Sequence, residues 1–418
     1  MIYYIRKEYF GATVYEPAAC RYFFLFKEQL EILNTPFNYQ DNHKIDLSNG
    51  RFAELIKNIH NDDAILIWKT SSDPLPIESL SAPISVYFEI TRLCNGNCVY
   101  CLNNSGQALD NPLTTGEMCK IIDNLAIDGV FEVRLTGGEI TLFPDYQLIA
   151  RQVIKNNMSL VLNSNLLCNI EILNNLINLR PNLLVTSLDA LKVSHRKQRG
   201  HGYEKIVKNI KEVLENKIPV RINCMLTPYT IPHIEKFIDN FAPMGCDFSF
   251  MLPRPSGRAI NNGKIMPSIK LFSEINQLIV NKSKQYSKNN FFSSFVCVME
   301  QELTIGSVEL TGCSAIQKSF NINSDGSVYP CAFCEFDANY FNLGNVRDLD
   351  YSISKIWKDS HQLKNLRKQS AKVNMRCIHC NEFKKNCMGS CIIMKLYEGF
   401  TGNPDPYCKK SIEKSNCC

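Results

Sequence analysis

The chain has 418 residues, 45% of them hydrophobic and 21% charged, with a formal net charge of +5 and 19 cysteines. That length suits two or three domains, and the apolar-to-charged balance is that of a globular protein with a substantial core. The longest apolar runs, such as "VYFEI" and "SLVLN", are too short to span a bilayer, and "MIYYIRKEYF" lacks the apolar stretch of an export signal, so a cytoplasmic protein with no membrane partner is expected. The mild charge supports no claim of nucleic-acid binding, though it fits a slightly basic groove for an acidic peptide or a nucleotide-like cofactor. A reducing compartment keeps thiols free, so clustered cysteines point to metal or catalysis rather than to a disulfide scaffold.

Residues 1–75 read as a small unit of their own. "MIYYIRKEYF", "ATVYEP" and "RYFFLFK" are short, aromatic-rich and β-branched, which predicts three strands. "KEQLEILN" and "RFAELIKNIH" then have helical character, with Phe52, Leu55, Ile56 and Ile59 on one face. The Ser- and Pro-rich stretch 69–83 reads as a linker. From 84 to 282, six candidate strands ("ISVYFEI", "VFEVRL", "SLVLNSN", "LLVTSLD", "VRINCML", "CDFSFML") alternate with candidate helices. In "GEMCKIIDNLAI", Met118, Ile121, Ile122 and Leu125 share a stripe and Gly129 can stop the helix. Such alternation predicts a parallel sheet, open or curled into a partial barrel, with chemistry at the carboxyl ends of its strands. Residues 283–310 form a bridging region without clear pattern. From 311 to 418 long periodic elements are few and paired cysteines many, which suits a segment held by metal.

The loop after the first of these six strands, "EITRLCNGNCVYCLN", holds Cys94, Cys98 and Cys101. A structural zinc site wants four closed ligands, commonly as two well-separated pairs. Three thiolates in eight residues suit three corners of an iron–sulfur cube, with the fourth iron open to something that is not protein.

This spacing, with Tyr100 before the last cysteine, resembles the signature of the radical S-adenosylmethionine (SAM) enzymes. The resemblance implies that SAM chelates the open iron and is split by one electron into methionine and a 5′-deoxyadenosyl radical. Gly137, Gly138 and Glu139 match the family's glycine–glycine–glutamate motif; the glycines would let backbone approach the ligand, and Glu139 would receive the methionine ammonium. Asn163 and Ser187 end the third and fourth of these strands, where the family contacts ribose and the methionine carboxylate; as residues alone they read equally well as strand-end caps. "PRPSGRA" (253–259) resembles the segment after the sixth strand, and Arg199 is a further candidate for SAM contact, with His195 and His201 expected in a loop.

The cysteine-rich end resembles the SPASM extension of radical SAM peptide maturases, which houses two auxiliary clusters. Cys313, Gly326 and Cys331 carry its first half, with "NINSDGSVYPC" read as a hairpin turning at Asp325-Gly326; Cys377, Cys380, Cys387, Cys391 and Cys408 carry the second. "FNLGNVRDLDYSISKIW" (341–357) matches the link between the halves, and six residues separate Cys380 from Cys387 where five is commoner. The resemblance implies a first cluster on Cys313, Cys331 and Cys391, with Cys334 as nearest candidate for a fourth ligand and an open iron as the alternative. The second cluster would sit on Cys377, Cys380, Cys387 and Cys408. Zinc knuckles are the bland alternative for the region. The basic run 355–376 reads as a solvated helix face, and most remaining cysteines as small core residues.

The front unit resembles the RiPP recognition element, a winged-helix-like domain that binds a leader peptide as an added strand. Together the resemblances imply an α/β protein. It would have a partial (β/α)6 TIM-like barrel, a small N-terminal winged-helix-like domain and a C-terminal cysteine-rich iron–sulfur (SPASM) domain. They imply SAM and three [4Fe-4S] clusters as cofactors. They also imply a precursor peptide with a leader as substrate, and an external one-electron reductant of flavodoxin or ferredoxin type. Hydrogen abstraction from a peptide carbon would lead to a cross-link, plausibly a thioether or a C–C bond. A sulfatase-type formylglycine maturase is the alternative enzyme, and a non-catalytic iron–sulfur electron carrier the alternative of another class.

Overall fold

The computed structural model describes residues 1–34, 50–260, 262–293, 304–305, 308–309, 314–378, 391, 393–394 and 396. At the front, β1 (Ile2–Glu8), β2 (Gly11–Glu16) and β3 (Arg21–Phe26) form an antiparallel meander, followed by α1 (Lys27–Asn34) and α2 (Gly50–His60). A fourth strand, β4 (Ile65–Trp68), returns parallel to β1 and gives the order β3-β2-β1-β4. Its four residues are too few to show an alternation in the sequence. Side chains alternate across the sheet, and both faces are buried. Tyr3, Ile5, Val14, Phe23 and Leu25 pack with Phe52, Leu55 and Ile56 of α2, while Tyr4, Tyr15 and Phe24 join the core of the main domain.

The main sheet contains the six expected strands: β5 (Ser85–Thr91), β6 (Glu132–Gly137), β7 (Ser159–Asn163), β8 (Leu183–Ser187), β9 (Val220–Met225) and β10 (Asp247–Met251). All run parallel in sequence order, as right-handed crossovers through helices require. The helices are α3 (Thr115–Ile127), α4 (Tyr146–Lys155), α5 (Ile170–Asn178), α6 (Lys192–Arg199), α7 (Tyr203–Glu215), α8 (Ile234–Phe241) and α9 (Ile269–Gln285). β11 (Phe291–Ser293) adds a parallel strand beyond β10, and a two-residue-per-strand hairpin follows as β12 (Thr304–Ile305) and β13 (Val308–Glu309). The expected hairpin of the cysteine-rich end forms as β14 (Ser319–Ile322) and β15 (Val328–Tyr329), turning at Gly326 with φ +87°. What the sequence did not reveal is that β14 pairs parallel with β5 and so extends the same sheet.

The rest of the described C-terminal region comprises α10 (Ala338–Phe341), α11 (Ser354–Asp359) and α12 (His361–Ile378). Lys355, Lys364 and Lys368 are exposed as expected of a solvated face. Arg367 departs from that expectation: it is buried over the Trp357 ring at 4.3 Å. Among the described residues no helix is long and apolar enough to cross a membrane.

The linker joins all three regions through polar contacts. Arg6 is fully buried and donates to the carbonyls of Ala82, Pro83 and Gly129 at 2.7, 2.9 and 2.9 Å, with Glu8 neutralising it at 2.8 Å. Trp357 Nε1 donates to Leu80 O at 2.6 Å. On the far side, α3 opens with a capping box of Thr114 and Glu117 and ends before Gly129, whose φ of +86° suits a helix stop.

Glu117 does a second job: Arg347 grips its carboxylate through Nε at 2.6 Å and Nη2 at 3.1 Å, tying the 341–357 segment to the barrel. The Arg347 guanidinium holds the Glu117 carboxyl down to about 2, below its ordinary 4.5. A depressed carboxyl contributes stability that is present above its unfolded value and lost as pH falls through its folded one. Glu117→Gln keeps a capping group and loses the ion pair, so it should cost about 1–2 kcal/mol at neutral pH after solvent screening. In melting curves the gap from the unsubstituted protein should narrow as pH falls from 4.5 towards about 2; a gap independent of pH would contradict the assignment.

Candidate active site

The carboxyl ends of β5 to β10 open into a cavity of about 670 Å³. Cys94, Cys98, Cys101, Tyr100, Gly137, Gly138, Asn163, Ser187 and Arg199, all named from sequence, line it together. Cys331 and Cys391, from the far end of the chain, line the same cavity. Cys313, Cys380, Cys387, Cys408 and the side chain of Cys377 lie outside the described residues.

Three grips shape the cysteine loop. The first is β6: Gly138 N donates to Thr91 O and Glu139 N to Leu93 O, both at 2.8 Å. A Cβ on Gly137 would meet Thr91 O at 2.2 Å, and one on Gly138 would meet Leu93 O at 2.2 Å. The sequence pattern assigns these glycines to close approach of a ligand. The geometry gives them a nearer duty, which is to let β6 lie against the start of the loop.

The second grip is α6. Asp189, fully buried just past β8, accepts from Tyr100 Oη and lies 3.2 Å from Arg199 Nε. Val99 N donates to Gln198 O at 2.9 Å, and the Arg199 guanidinium stands 5.3 Å over the Tyr100 ring with Nη1 3.5 Å from Cys98 Sγ. His195, expected in a loop, is instead buried on α6, while His201 lies exposed in the bend beyond it. The "HRKQR" run is helical, with Leu191 at its N-cap; Ser194 Oγ accepts from Leu191 N at 3.2 Å and donates to Asp189 O at 2.7 Å, tying the helix start to the end of β8. Sequence reasoning missed Asp189 in "TSLDA"; an acid at a strand's carboxyl end was the available signal.

The third grip is the "PRPSGRA" segment. Gly257, at φ +54°, packs where a Cβ would meet Cys101 O at 2.2 Å. Arg258 then donates from Nε to Cys98 O at 2.7 Å and from Nη1 to Ser105 O at 2.8 Å.

Glu139 is almost wholly buried and is not part of the cavity wall. Its Oε1 accepts from Thr141 N, Thr141 Oγ1 and Ser164 Oγ at 3.1, 2.8 and 2.9 Å, and its Oε2 from Asn165 N at 2.7 Å. Burial pushes this carboxyl up, against those four donors. It orders the end of β7, and only Oε2 keeps room for a further donor.

The wall fits a polar, partly anionic occupant. Arg199, Arg254 and Arg258 line it, and no carboxylate does among the described residues. Asn163 Oδ1 is buried at its edge without a hydrogen-bond partner, which leaves an acceptor for a ligand donor. Burial raises the Cys94 and Cys98 thiols, offset by the Gly96 amide at Cys94 and by Arg199 at Cys98. Of the cavity cysteines from the far end of the chain, Cys331 is lowered against burial by a hydrogen bond with Cys334, with help from the Phe333 amide and Arg254. Cys334, fully buried, is held well up by burial, by that bond and by the nearby charges of Cys331 and Cys391. Cys331, Cys334 and Cys391 therefore form one group. No three His, Cys, Asp or Glu side chains among the described residues gather tightly enough for a single metal ion, whereas a cube spaces its cysteines more widely. Of the other cysteines, Cys168, Cys224 and Cys246 are core residues as expected.

Comparison with known proteins agrees with this arrangement. The radical SAM superfamily pattern matches residues 88–241, and that of the SPASM iron–sulfur cluster-binding domain matches residues 313–381. Mycofactocin maturase MftC of Mycobacterium tuberculosis is 27% identical over 350 residues, covering 81% of this chain and 87% of the relative. Sporulation killing factor maturation protein SkfB of Bacillus subtilis is 23% identical over 281 residues, 64% of each chain. The crystal structure of Streptococcus suis SuiB bound to precursor peptide SuiA superposes with a TM-score of 0.68 at 17% identity, over 96% of both chains. The chain belongs to the radical SAM enzymes that carry a SPASM iron–sulfur domain.

Proposed function

We propose that the protein is a maturase of a ribosomally made peptide: a hydrogen atom is removed from a precursor carbon, a cysteine thiol of the peptide gives up its proton and bonds to that carbon as a thioether, and the one electron released would pass to an auxiliary iron–sulfur cluster. The observation that carries the reading is the shared cavity: Cys94, Cys98 and Cys101 line it together with Cys331 and Cys391 from the far end of the chain. When bound, a reduced cluster and SAM supply a 5′-deoxyadenosyl radical able to take that hydrogen.

The chain's own residues do the rest. Cys94, Cys98 and Cys101 hold the SAM-binding cluster, while Asn163 and Ser187 offer acceptors to SAM at the ends of β7 and β8. Arg199 neutralises charge beside Cys98, and Glu139 keeps the Ser164–Asn165 wall in place. Cys331, Cys334 and Cys391, with Cys313, hold a first auxiliary cluster, and Cys377, Cys380, Cys387 and Cys408 a second. Cys334 is the fourth ligand of the first cluster in this reading, because it is the thiol packed against Cys331. An external reductant of flavodoxin or ferredoxin type supplies the electron. The names of MftC and SkfB support a maturation role, and the fold shared with peptide-bound SuiB supports a peptide substrate.

The front sheet is proposed to hold the leader by strand addition at an edge, β3 or β4. Removing residues 1–75 is no clean test, because Tyr4, Tyr15 and Phe24 complete the main core and Arg6 pins the linker. A proline scan of a precursor's leader is cleaner. Proline in the docking segment deletes a donor and fixes φ, so affinity should fall about tenfold there and nowhere else. Equal affinity for every scanned peptide would refute strand addition.

Metal content tests the core of the reading. Anaerobically purified protein should bind iron in thiolate-ligated clusters, and replacing Cys94, Cys98 and Cys101 together by Ala should remove one cluster's iron and all 5′-deoxyadenosine formation. Co-expression with a precursor peptide should change the peptide's mass only with the intact triad. Zinc in place of iron, or undiminished SAM cleavage, would overturn the assignment.

A further inference from the structure

A largely buried charge cluster, which the reading above leaves unused, joins the two cysteine loops. Glu89, fully buried near the end of β5, meets Arg92 through two hydrogen bonds of 3.0 Å each. Arg92 in turn grips Glu335 through Nη1 at 2.6 Å and Nη2 at 3.0 Å. Arg92 lies two residues before Cys94, and Glu335 directly follows Cys334. Glu89 also accepts from Asn103 Nδ2 at 2.7 Å, two residues after Cys101, and from Ser324 Oγ at 2.8 Å in the β14–β15 turn. One guanidinium with two carboxylates thus joins both ends of the first cysteine loop to the second.

Apolar side chains could hold these loops with equal strength, since buried ion pairs seldom add net stability. A doubly bidentate arginine adds directional constraints on distance and angle that non-directional apolar contacts lack. We infer that the Glu89–Arg92–Glu335 bridge is a positioning device that locks the Cys331–Cys334 loop against the Cys94–Cys101 loop and so sets the width of the gap where the peptide carbon must lie. The inference rests on the proposed maturase function. Glu335 and Arg92 are positioning residues in it, acting through the cysteine loops rather than on the peptide.

Glu335 is the member to change. Its side chain is 29% exposed, and without it Arg92 remains paired with Glu89, so the fold should survive. In cluster-loaded, full-length enzyme, Glu335→Ala should speed amide hydrogen exchange about tenfold in segments 91–94 and 331–336. With a precursor peptide that the unsubstituted enzyme modifies, product formed per SAM cleaved should fall about tenfold, because a misplacement near 1 Å is costly in rate. Glu335→Gln, which retains a neutral hydrogen bond, should fall between. A purely stabilising contact would instead lower the melting temperature or iron content and leave product per SAM unchanged. Exchange and product ratio both unmoved would overturn the inference, as would loosened loops with an unmoved ratio. Should Glu335→Ala lose iron, Glu335→Asp, with its carboxylate one methylene short, takes its place: faster exchange with a lower product ratio supports the lock, and an unmoved ratio overturns it. Absence of SAM cleavage by the unsubstituted enzyme would count against the maturase reading; the exchange comparison needs neither SAM nor peptide and still decides whether the loops are locked.

Discussion

Residues 92–114 contain neither helix nor strand, yet they must present three thiols in one arrangement. A segment with no ladder of its own takes its shape from whatever satisfies its backbone. Here each grip comes from a different strand end: Gly138 after β6, Asp189 after β8, and Gly257 with Arg258 after β10. The parallel sheet is therefore more than a place to put a site. Its strand ends are spaced so that three separate loops converge on one, which is why the thiols face a cavity rather than solvent.

That division explains what could be read from the sequence. Local signals survived: the cysteine spacing, the glycine–glycine–glutamate triplet, the stripe of Met118, Ile121, Ile122 and Leu125, and the Asp325-Gly326 turn each lie within a few residues. The six parallel strands were legible because burial on both faces leaves runs of apolar, β-branched residues. What escaped was long-range or short. β4 has four residues, and β14 joins β5 across more than two hundred positions, a pairing that leaves no periodic trace. Asp189 and Glu335 are single acids whose partners lie 89 and 243 residues away. A contact at that separation has no signature in one sequence, and neither does the packing of Gly137 and Gly138 against the Thr91 and Leu93 carbonyls.

The front sheet shows the same economy of contact. With both faces covered it cannot be a loosely tethered module, since Tyr15 stacks on Phe131 and its hydroxyl donates to Glu132 at the amino end of β6. The sheet thus closes the end of the main domain opposite the cavity. A leader held at its edge would be anchored to the same rigid body that presents the cysteines, and the span between the two would be set by the peptide alone. Preorganisation of that kind lowers the entropy lost on binding.

Charge placement, rather than net charge, is the last link to the chemistry. A formal +5 spread over 418 residues says little. Around the cavity, however, the sorting is complete among the described residues: arginines 199, 254 and 258 on the wall, and Glu89, Asp189 and Glu139 buried behind it. The hidden carboxylates orient the arginines and loops without adding negative charge to the cavity. Thiolates that ligate metal are negative, as is the carboxylate of SAM, and each would be repelled by acid groups at close range. A wall with arginines forward and carboxylates behind favours both. Acids on the wall at the same net charge would set negative charge beside the thiolates and the SAM carboxylate and weaken the hold on both.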